Sequence, residues 1–223
     1  MYNTTNITSI LFDMDGTVLE SEGLFAKAEH QVLVEYGVDV DISDLNMFRG
    51  MPVDLFYREY KKRYSLNEDT SILQNKIKQN LYQLYKTDLV YVDGFISFYK
   101  RHILSLKRKT ALVTNTELDI VQKVKSSIDI SKYFNTIITS TDVDEPKPSP
   151  VPYQVAMNIL NIKPRNTMII EDSSSGLRSA VKSGAKVIGL QTTLSKSEIL
   201  NIDSGIVVVS DYGELSNYLD SFV

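Results

Sequence analysis

The chain has no cysteine and only two histidines among its 223 residues. Without cysteine there can be no disulfide framework, no thiolate catalysis and no zinc site built on cysteine. The two histidines, His30 and His102, lie inside segments with helical periodicity and not at the ends of predicted strands. We therefore assign neither of them a role in chemistry.

The sequence also lacks a surplus of positive charge. It has 24 Lys and Arg against 28 Asp and Glu, a formal net charge of −4, whereas proteins that bind nucleic acid neutralise its phosphates with surplus basic residues. No apolar run approaches the roughly 20 residues that span a bilayer. Met1 to Ser9 show no basic stretch followed by an apolar run, as a secretory signal would. We expect a cytoplasmic protein that binds neither nucleic acid nor a membrane.

Short apolar, β-rich runs recur along most of the chain, with helical or loop segments between them. They occupy residues 7–12, 110–114, 137–139, 168–170, 187–190 and 206–209. Alternation of this kind predicts βαβ units with right-handed crossovers and a parallel sheet covered by helices.

The segment from Ser21 to Thr87 interrupts this alternation. Apolar residues recur there at three- and four-residue steps in three stretches without an intervening strand, 25–36, 53–64 and 73–84. Gly37, directly after the first stretch, is typical of a helix end. The sequence therefore predicts an α/β core domain formed by residues 1–20 and 88–223, with an all-helical domain of residues 21–87 inserted after the first strand.

Acidic and small hydrogen-bonding side chains directly follow three of the predicted strands. These residues are Asp13, Asp15, Thr114, Asn115, Glu171 and Asp172. Ligands bind at the carboxyl ends of the strands in open parallel sheets, so we expect the six side chains to lie at one edge of the sheet. Lys147, in the proline-rich loop 145–152, would add a positive charge there.

Four carboxylates at one edge would repel one another, and a bound cation would offset their charge. Oxygen ligands without histidine or cysteine suit Mg²⁺, which takes one or two carboxylates and keeps its other positions for water and phosphate. A divalent cation would also keep a clustered aspartate ionised and nucleophilic. We expect Asp172 to complete the Mg²⁺ site, with Glu171 either as a ligand or as a residue behind the ligands.

The same residues suggest how a phosphate ester could be cleaved. A carboxylate such as Asp13 can attack phosphorus, which divides one difficult displacement into two easier ones. Asp15 lies two residues on, on the same side of an extended chain, and could protonate the leaving oxygen and later activate water. Thr114 and Asn115 would donate hydrogen bonds to the phosphoryl oxygens, and Lys147 would neutralise their charge.

Four segments resemble the motifs of the haloacid dehalogenase superfamily, in the same order and at similar spacing. They are Asp13–Thr17, Val113–Asn115, Glu145–Ser149 and Ile170–Gly176. The resemblance covers the whole chain and extends to the β-phosphoglucomutase-like phosphatases, whose helical cap is inserted between the first two motifs. It implies a Rossmann-like parallel-sheet core, an all-helical cap domain that closes over the substrate, and Asp13 as nucleophile. It also implies that Asp15 is the acid and base and that Asp13, the Asp15 carbonyl and Asp172 hold Mg²⁺.

The chain departs from true β-phosphoglucomutases on the first helix of the insertion. Those enzymes have a His-x-x-Ala-Trp pattern where this chain has Phe25–Glu29. We therefore favour hydrolysis of a small phosphate monoester, such as a sugar phosphate, over a mutase reaction. A third hypothesis is a phospho-receiver signalling domain, which also groups acids, a threonine and a lysine around Mg²⁺. Such a domain lacks a large insertion after its first strand.

Arg49 and Gly50 end a loop that resembles the substrate-specificity loop of the family. A guanidinium group there would bind a distal anionic or sugar group of the substrate. We expect a monomer that acts on a small phosphorylated metabolite.

Overall fold

The structure is a computed structural model in which residues 7–48, 51 and 53–221 are described. The chain divides into two compact units, one formed by Met1–Glu20 and Val90–Val223 and the other by Ser21–Leu89. The strands are β1 (Ser9–Phe12), β2 (Lys109–Val113), β3 (Thr136–Ile138), β4 (Thr167–Glu171), β5 (Lys186–Leu190) and β6 (Val207–Val209). The α-helices are α1 (Glu22–Glu35), α2 (Val53–Arg63), α3 (Thr70–Thr87), α4 (Phe95–Phe98), α5 (Leu118–Ser127), α6 (Val151–Ile159), α7 (Ser174–Lys182), α8 (Lys196–Ile202) and α9 (Tyr212–Asp220).

The first unit is built on a six-stranded parallel sheet with the order β3-β2-β1-β4-β5-β6. Leu11 of the central strand β1 lies opposite Ala111 of β2 on one side and Ile169 of β4 on the other. This is the Rossmann order, and it confirms the predicted fold class. A phospho-receiver would have the flavodoxin-like order 2-1-3-4-5, so the topology excludes that hypothesis. The strand order reverses at β1, and open sheets bind ligands at such a switch point.

Both faces of the sheet are covered, which explains the continuous apolar runs of the sequence. On one face, Leu11 belongs to an apolar cluster that includes residues of α6, α7 and α8, such as Met157, Leu177 and Ile199. Successive side chains of a strand point to opposite faces, and the neighbouring Phe12 instead makes an edge-to-face contact with Phe95 of α4, with ring centroids 5.7 Å apart. The residues of β1 are thus buried on both faces, as expected for a strand at the centre of the sheet.

The second unit consists of the helices α1 to α3 and a 3₁₀ helix at Ile42–Phe48. The predicted helices are confirmed. The first ends at Glu35, and Gly37, two residues further on, has a φ of 74°, the left-handed conformation that glycine adopts readily. The buried face of α3 has the spacing of a helical stripe and consists of Leu73, Ile77, Leu81 and Tyr85. In the described part of the chain, no helix combines the length and the hydropathy needed to cross a bilayer.

Candidate active site

The turn after β1 brings two aspartates to the carboxyl edge of the sheet. The backbone N–H of Asp13 still donates to the Ile170 carbonyl of β4 (3.0 Å), so Asp13 is held as a continuation of the strand. The chain then turns at Gly16, which has a φ of 76°. A Cβ atom at this position would overlap the Asp172 carboxylate and would lie 3.3 Å from Thr193 Oγ1. Glycine is thus needed here for both its backbone conformation and its lack of a side chain.

Lys147 is buried at the centre of the site, although it lies in a loop. Its ammonium group donates to Asp13 Oδ1 (2.6 Å), to Glu171 Oε1 (2.5 Å) and to the Val113 carbonyl (2.7 Å). A lysine ammonium has three donors, and each has a partner here. Burial alone would lower the pKa of Lys147, but the charges of Asp13 and Glu171 raise it above its ordinary value. The side chain is therefore a fixed positive charge beside Asp13.

The side chain of Asn115 holds the loop that carries Lys147. Its Nδ2 donates to the Lys147 carbonyl (3.0 Å), and its Oδ1 accepts from the Lys147 N–H (2.9 Å). From the sequence we expected this amide to face phosphoryl oxygens. In the structure one hydrogen of this amide and its oxygen bind the Lys147 backbone, so the side chain tethers the proline-rich loop to the end of β2, and its contact with phosphoryl oxygens stays a prediction.

Glu171 is fully buried, and both oxygens of its carboxylate accept hydrogen bonds. Oε1 accepts from Lys147 and from the Tyr153 hydroxyl (2.8 Å). Oε2 accepts from the Asp172 N–H (3.2 Å) and from the N–H (3.3 Å) and hydroxyl (3.2 Å) of Ser173. Gly176 of α7 packs so closely that a Cβ atom there would overlap the same carboxylate. This arrangement favours the second of the two roles considered for Glu171, which is to orient Lys147 from behind the ligands.

The acidic residues of the site form a group that fits a divalent cation. Asp13, Glu171 and Asp172 are buried, and each offers a carboxylate oxygen within 4.8 Å of the others. Burial raises the pKa of Asp13 well above its usual range, the charge of Glu171 adds to this, and Lys147 offsets it only in part. A divalent cation among these oxygens would stabilise the ionised form of Asp13. An all-oxygen donor set of this kind matches the ligand preference of Mg²⁺.

Asp15 is held by two threonines from the end of β2. The Thr116 hydroxyl donates to Asp15 Oδ2 (2.8 Å), and the Thr114 hydroxyl lies 3.4 Å from the same oxygen. Thr114 Oγ1 in turn accepts from the Thr116 N–H (3.0 Å). The Asp15 carboxylate is only partly buried, so it can meet both a substrate and water.

The structure brings together most of the residues that the sequence singled out. Seven of them lie at this edge of the sheet: Asp13, Asp15, Thr114, Asn115, Lys147, Glu171 and Asp172. Arg49 and Gly50 lie outside the described residues.

Several polar contacts of the site are not predicted from the sequence. Among the residues that make them are Thr17, Thr116, Tyr153, Thr192 and Thr193. Thr192 and Thr193 come two and three residues after the end of β5. Their position at the carboxyl end of a strand is the same signal that predicts the other site residues. Tyr153 has only a helical apolar pattern in the sequence, which does not reveal where its hydroxyl points.

Comparison with known proteins identifies the family. A model of haloacid dehalogenase-like hydrolases matches residues 10–190. Validoxylamine A 7'-phosphate phosphatase of Streptomyces hygroscopicus subsp. limoneus is 24% identical over 205 residues, which are 92% of this chain and 94% of that protein. A phosphorylated carbohydrates phosphatase of Thermotoga maritima is 22% identical over 213 residues, 95% and 97% of the two chains.

Solved structures show the same fold. The candidate β-phosphoglucomutase of Thermotoga maritima has a TM-score of 0.84 at 22% identity, and the match covers 96% of this chain and 99% of that one. The superfamily resemblance drawn from the four motifs is thereby confirmed. The chain belongs to the haloacid dehalogenase-like hydrolases.

Proposed function

We propose that the chain is a Mg²⁺-dependent phosphatase that hydrolyses a small phosphate monoester through a phosphorylated Asp13. The observation that supports this most directly is the position of Lys147. Its ammonium lies 2.6 Å from Asp13 Oδ1, inside a group of carboxylates that could hold a cation. Phosphoryl transfer depends mainly on positioning and on neutralising charge, and this site provides groups for both.

In the first step, a carboxylate oxygen of Asp13 attacks phosphorus and the bond from phosphorus to the leaving oxygen breaks. Asp15 gives its proton to that oxygen, which leaves as an alcohol. In the second step, Asp15 takes a proton from water, the water oxygen bonds to phosphorus, and the bond to Asp13 breaks. Phosphate is released and both aspartates return to their starting state.

The protein positions the groups for both steps. Thr116 orients the Asp15 carboxylate through its 2.8 Å hydrogen bond, and Glu171 keeps Lys147 beside Asp13. When bound by Asp13 and Asp172, Mg²⁺ would supply positive charge that keeps Asp13 ionised and offsets the charge of the phosphoryl oxygens.

The names of two relatives support a phosphorylated carbohydrate or a similar metabolite as substrate, because both are phosphatases of such compounds. Phe25, where a mutase would have histidine, supports hydrolysis over transfer back to a sugar. In this proposal residues 21–87 form a cap over the site, and Arg49 with Gly50 contacts the part of the substrate that does not react. Such lids exclude water from the reacting groups.

The first test is a panel of phosphorylated metabolites with phosphate release as readout, measured with Mg²⁺ and with EDTA. We expect Mg²⁺-dependent turnover that is lost in Asp13→Asn and kept in Asp93→Asn, a matched change at an exposed aspartate of the same unit. Absence of turnover over the whole panel, or activity that survives Asp13→Asn, would reject the proposal. Formation of glucose 6-phosphate from β-glucose 1-phosphate without phosphate release would replace it with the mutase reaction.

The second test separates the two steps. p-Nitrophenol leaves without help from an acid, so Asp15→Asn should still complete the first step with p-nitrophenyl phosphate but should fail in the second. We expect a burst of p-nitrophenolate equal to the enzyme concentration, and a peptide containing Asp13 that gains the mass of one phosphoryl group. A slow linear release with no modified peptide would contradict the covalent route.

A further inference from the structure

The Asp172 carboxylate accepts hydrogen bonds from three hydroxyl groups. Asp172 is fully buried. Its Oδ1 accepts from Thr17 Oγ1 (3.1 Å), and its Oδ2 accepts from Thr192 Oγ1 (3.2 Å) and from Thr193 Oγ1. The two donors to Oδ2 come from the loop after β5, and the mechanism proposed above uses neither of them.

The loop that carries these threonines is anchored at both ends. The Gln191 N–H donates to the Val209 carbonyl of β6 (3.0 Å), which continues the sheet pairing to the start of the loop. At its far end, Ser195 and Glu198 form a reciprocal cap at the start of α8, with Ser195 N–H donating to Glu198 Oε2 (2.9 Å). The positions of the two hydroxyls are therefore set by the fold of the first unit.

The turn after β1 leaves room for this contact. A Cβ atom built on Gly16 would overlap Asp172 Oδ2 and would come within 3.3 Å of Thr193 Oγ1. Any side chain at position 16 would thus disturb the hydrogen bond between Thr193 and Asp172. The missing side chain of Gly16 therefore leaves the space in which the loop after β5 reaches Asp172.

We propose that Thr193, together with Thr192, positions the Asp172 carboxylate for the divalent cation. The inference rests on the proposed function in one respect, since it takes Asp172 as a ligand of that cation. Two donors on one oxygen restrict rotation of the carboxylate, so less freedom is lost when the cation binds. Partners of metal ligands typically contribute about 10- to 100-fold to metal affinity or activity.

The test measures cation binding without substrate. Mn²⁺ takes the same oxygen ligands as Mg²⁺, and titration with Mn²⁺ followed by the electron paramagnetic resonance signal of the free ion gives a Kd directly. We expect Thr193→Val to raise this Kd about 10-fold and Thr193→Ser, which keeps the hydroxyl, to return it close to the wild-type value. Thr87→Val, an exposed threonine of the helical unit, is the matched control and should leave the Kd unchanged.

A purely structural role for the hydroxyls is distinguished by two further measurements. Thermal unfolding in EDTA should show Thr193→Val folded, because residues 192 and 193 are exposed in a loop. In the phosphatase assay, positioning predicts that Thr193→Val needs more Mg²⁺ for half-maximal activity but recovers the wild-type kcat at saturating Mg²⁺. Thr192→Val provides a second single variant, for which we expect a smaller rise in the Kd.

The inference is wrong if Thr193→Val and the double variant with Thr192→Val both bind Mn²⁺ with the wild-type Kd. It is also wrong if Thr193→Ser binds Mn²⁺ as weakly as Thr193→Val, since the affinity would then not depend on the hydroxyl. Asp172→Asn separates this failure from failure of the proposed function. If Asp172→Asn binds Mn²⁺ with the wild-type Kd, Asp172 is not a ligand and the proposed metal site is wrong. If the wild-type protein binds Mn²⁺ through Asp172 but is inactive, only the proposed phosphatase activity is rejected.

Discussion

The contact of Lys147 with two buried carboxylates predicts a large and pH-dependent loss of stability in Lys147→Met. Methionine has a similar length but no charge, so it fills the space and removes the ammonium. Asp13 and Glu171 then stay buried without their common counter-charge. The structure gives N–O distances of 2.6 Å to Asp13 and 2.5 Å to Glu171.

The size of the effect follows from these distances. At an effective dielectric constant of about 20, each ion pair has an attraction of roughly 6 kcal/mol. The variant also avoids the cost of burying the ammonium, which is several kcal/mol, so the net loss is much smaller than the sum of the two attractions. Removing one partner of a buried ion pair typically costs about 3–5 kcal/mol in the free energy of unfolding.

The stability of the variant also depends on pH, through Asp13. Lys147 lowers the pKa of Asp13, so its removal raises the pKa of this already perturbed carboxyl further. Both folded proteins hold a proton on Asp13 that the unfolded chain releases above about pH 4, but the variant holds it to a higher pH than the wild type. Between the two folded-state pKa values of Asp13, only the variant continues to lose stability as pH rises, by up to about 1.4 kcal/mol per pH unit for one carboxyl. The deficit relative to wild type should thus be smaller at about pH 5 than at about pH 8.

The assay is urea unfolding followed by circular dichroism, in EDTA, at both pH values. Lys125→Met, an exposed lysine in α5 of the same unit, is the matched control and should change stability little. A loss for Lys147→Met below about 1 kcal/mol is the size expected of an exposed ion pair. That result, or a deficit that does not change with pH, would refute the reasoning that Lys147 neutralises two buried carboxyl groups.

Three further predictions concern neighbouring contacts. Thr116→Val should lower kcat about 10- to 100-fold with little change in KM, because Asp15 loses a hydrogen bond worth about 1.5–3 kcal/mol. Steady-state kinetics measures this effect, and Thr116→Ser, which keeps the hydroxyl, is the control. Tyr153→Phe should lower the free energy of unfolding by about 1.5–3 kcal/mol, because Glu171 loses a buried donor; a urea midpoint equal to wild type would contradict this. Burial lowers the pKa of His102, so the native state loses stability as pH falls below about 6.5. His102→Phe should lose less between about pH 7.5 and pH 5 in the same titration, and an equal loss would argue against the effect.

Much of the candidate site could be predicted from the sequence because its residues follow strands directly. An apolar run that stops at Asp13 identifies both a buried strand and the residue at its carboxyl end, and the same holds for Thr114 and Glu171. Parallel strands present these ends at one edge, so a local pattern is enough to group residues that are far apart in the chain. Lys147 follows no predicted strand, and only the fold shows it buried beside Asp13, 134 residues away in the chain.

Other contacts depend on side-chain directions that no local pattern contains. The sequence places Asn115 at the end of β2, but only the structure shows its amide bound to the backbone of Lys147. It places Tyr153 on the buried face of a helix, but not its hydroxyl on Glu171. The roles of Arg49 and Gly50 stay predictions, because those residues lie outside the described part of the chain.

By itself, the sequence determined the fold class, the helical segment after the first strand and the acids at three strand ends, because hydrophobic periodicity and strand boundaries are local properties of the chain. Only the tertiary structure decided the strand order β3-β2-β1-β4-β5-β6, since alternating strands and helices are compatible with more than one order. That order puts the loop after β5 beside the end of β4. The contact of Thr193 with Asp172 follows from this adjacency.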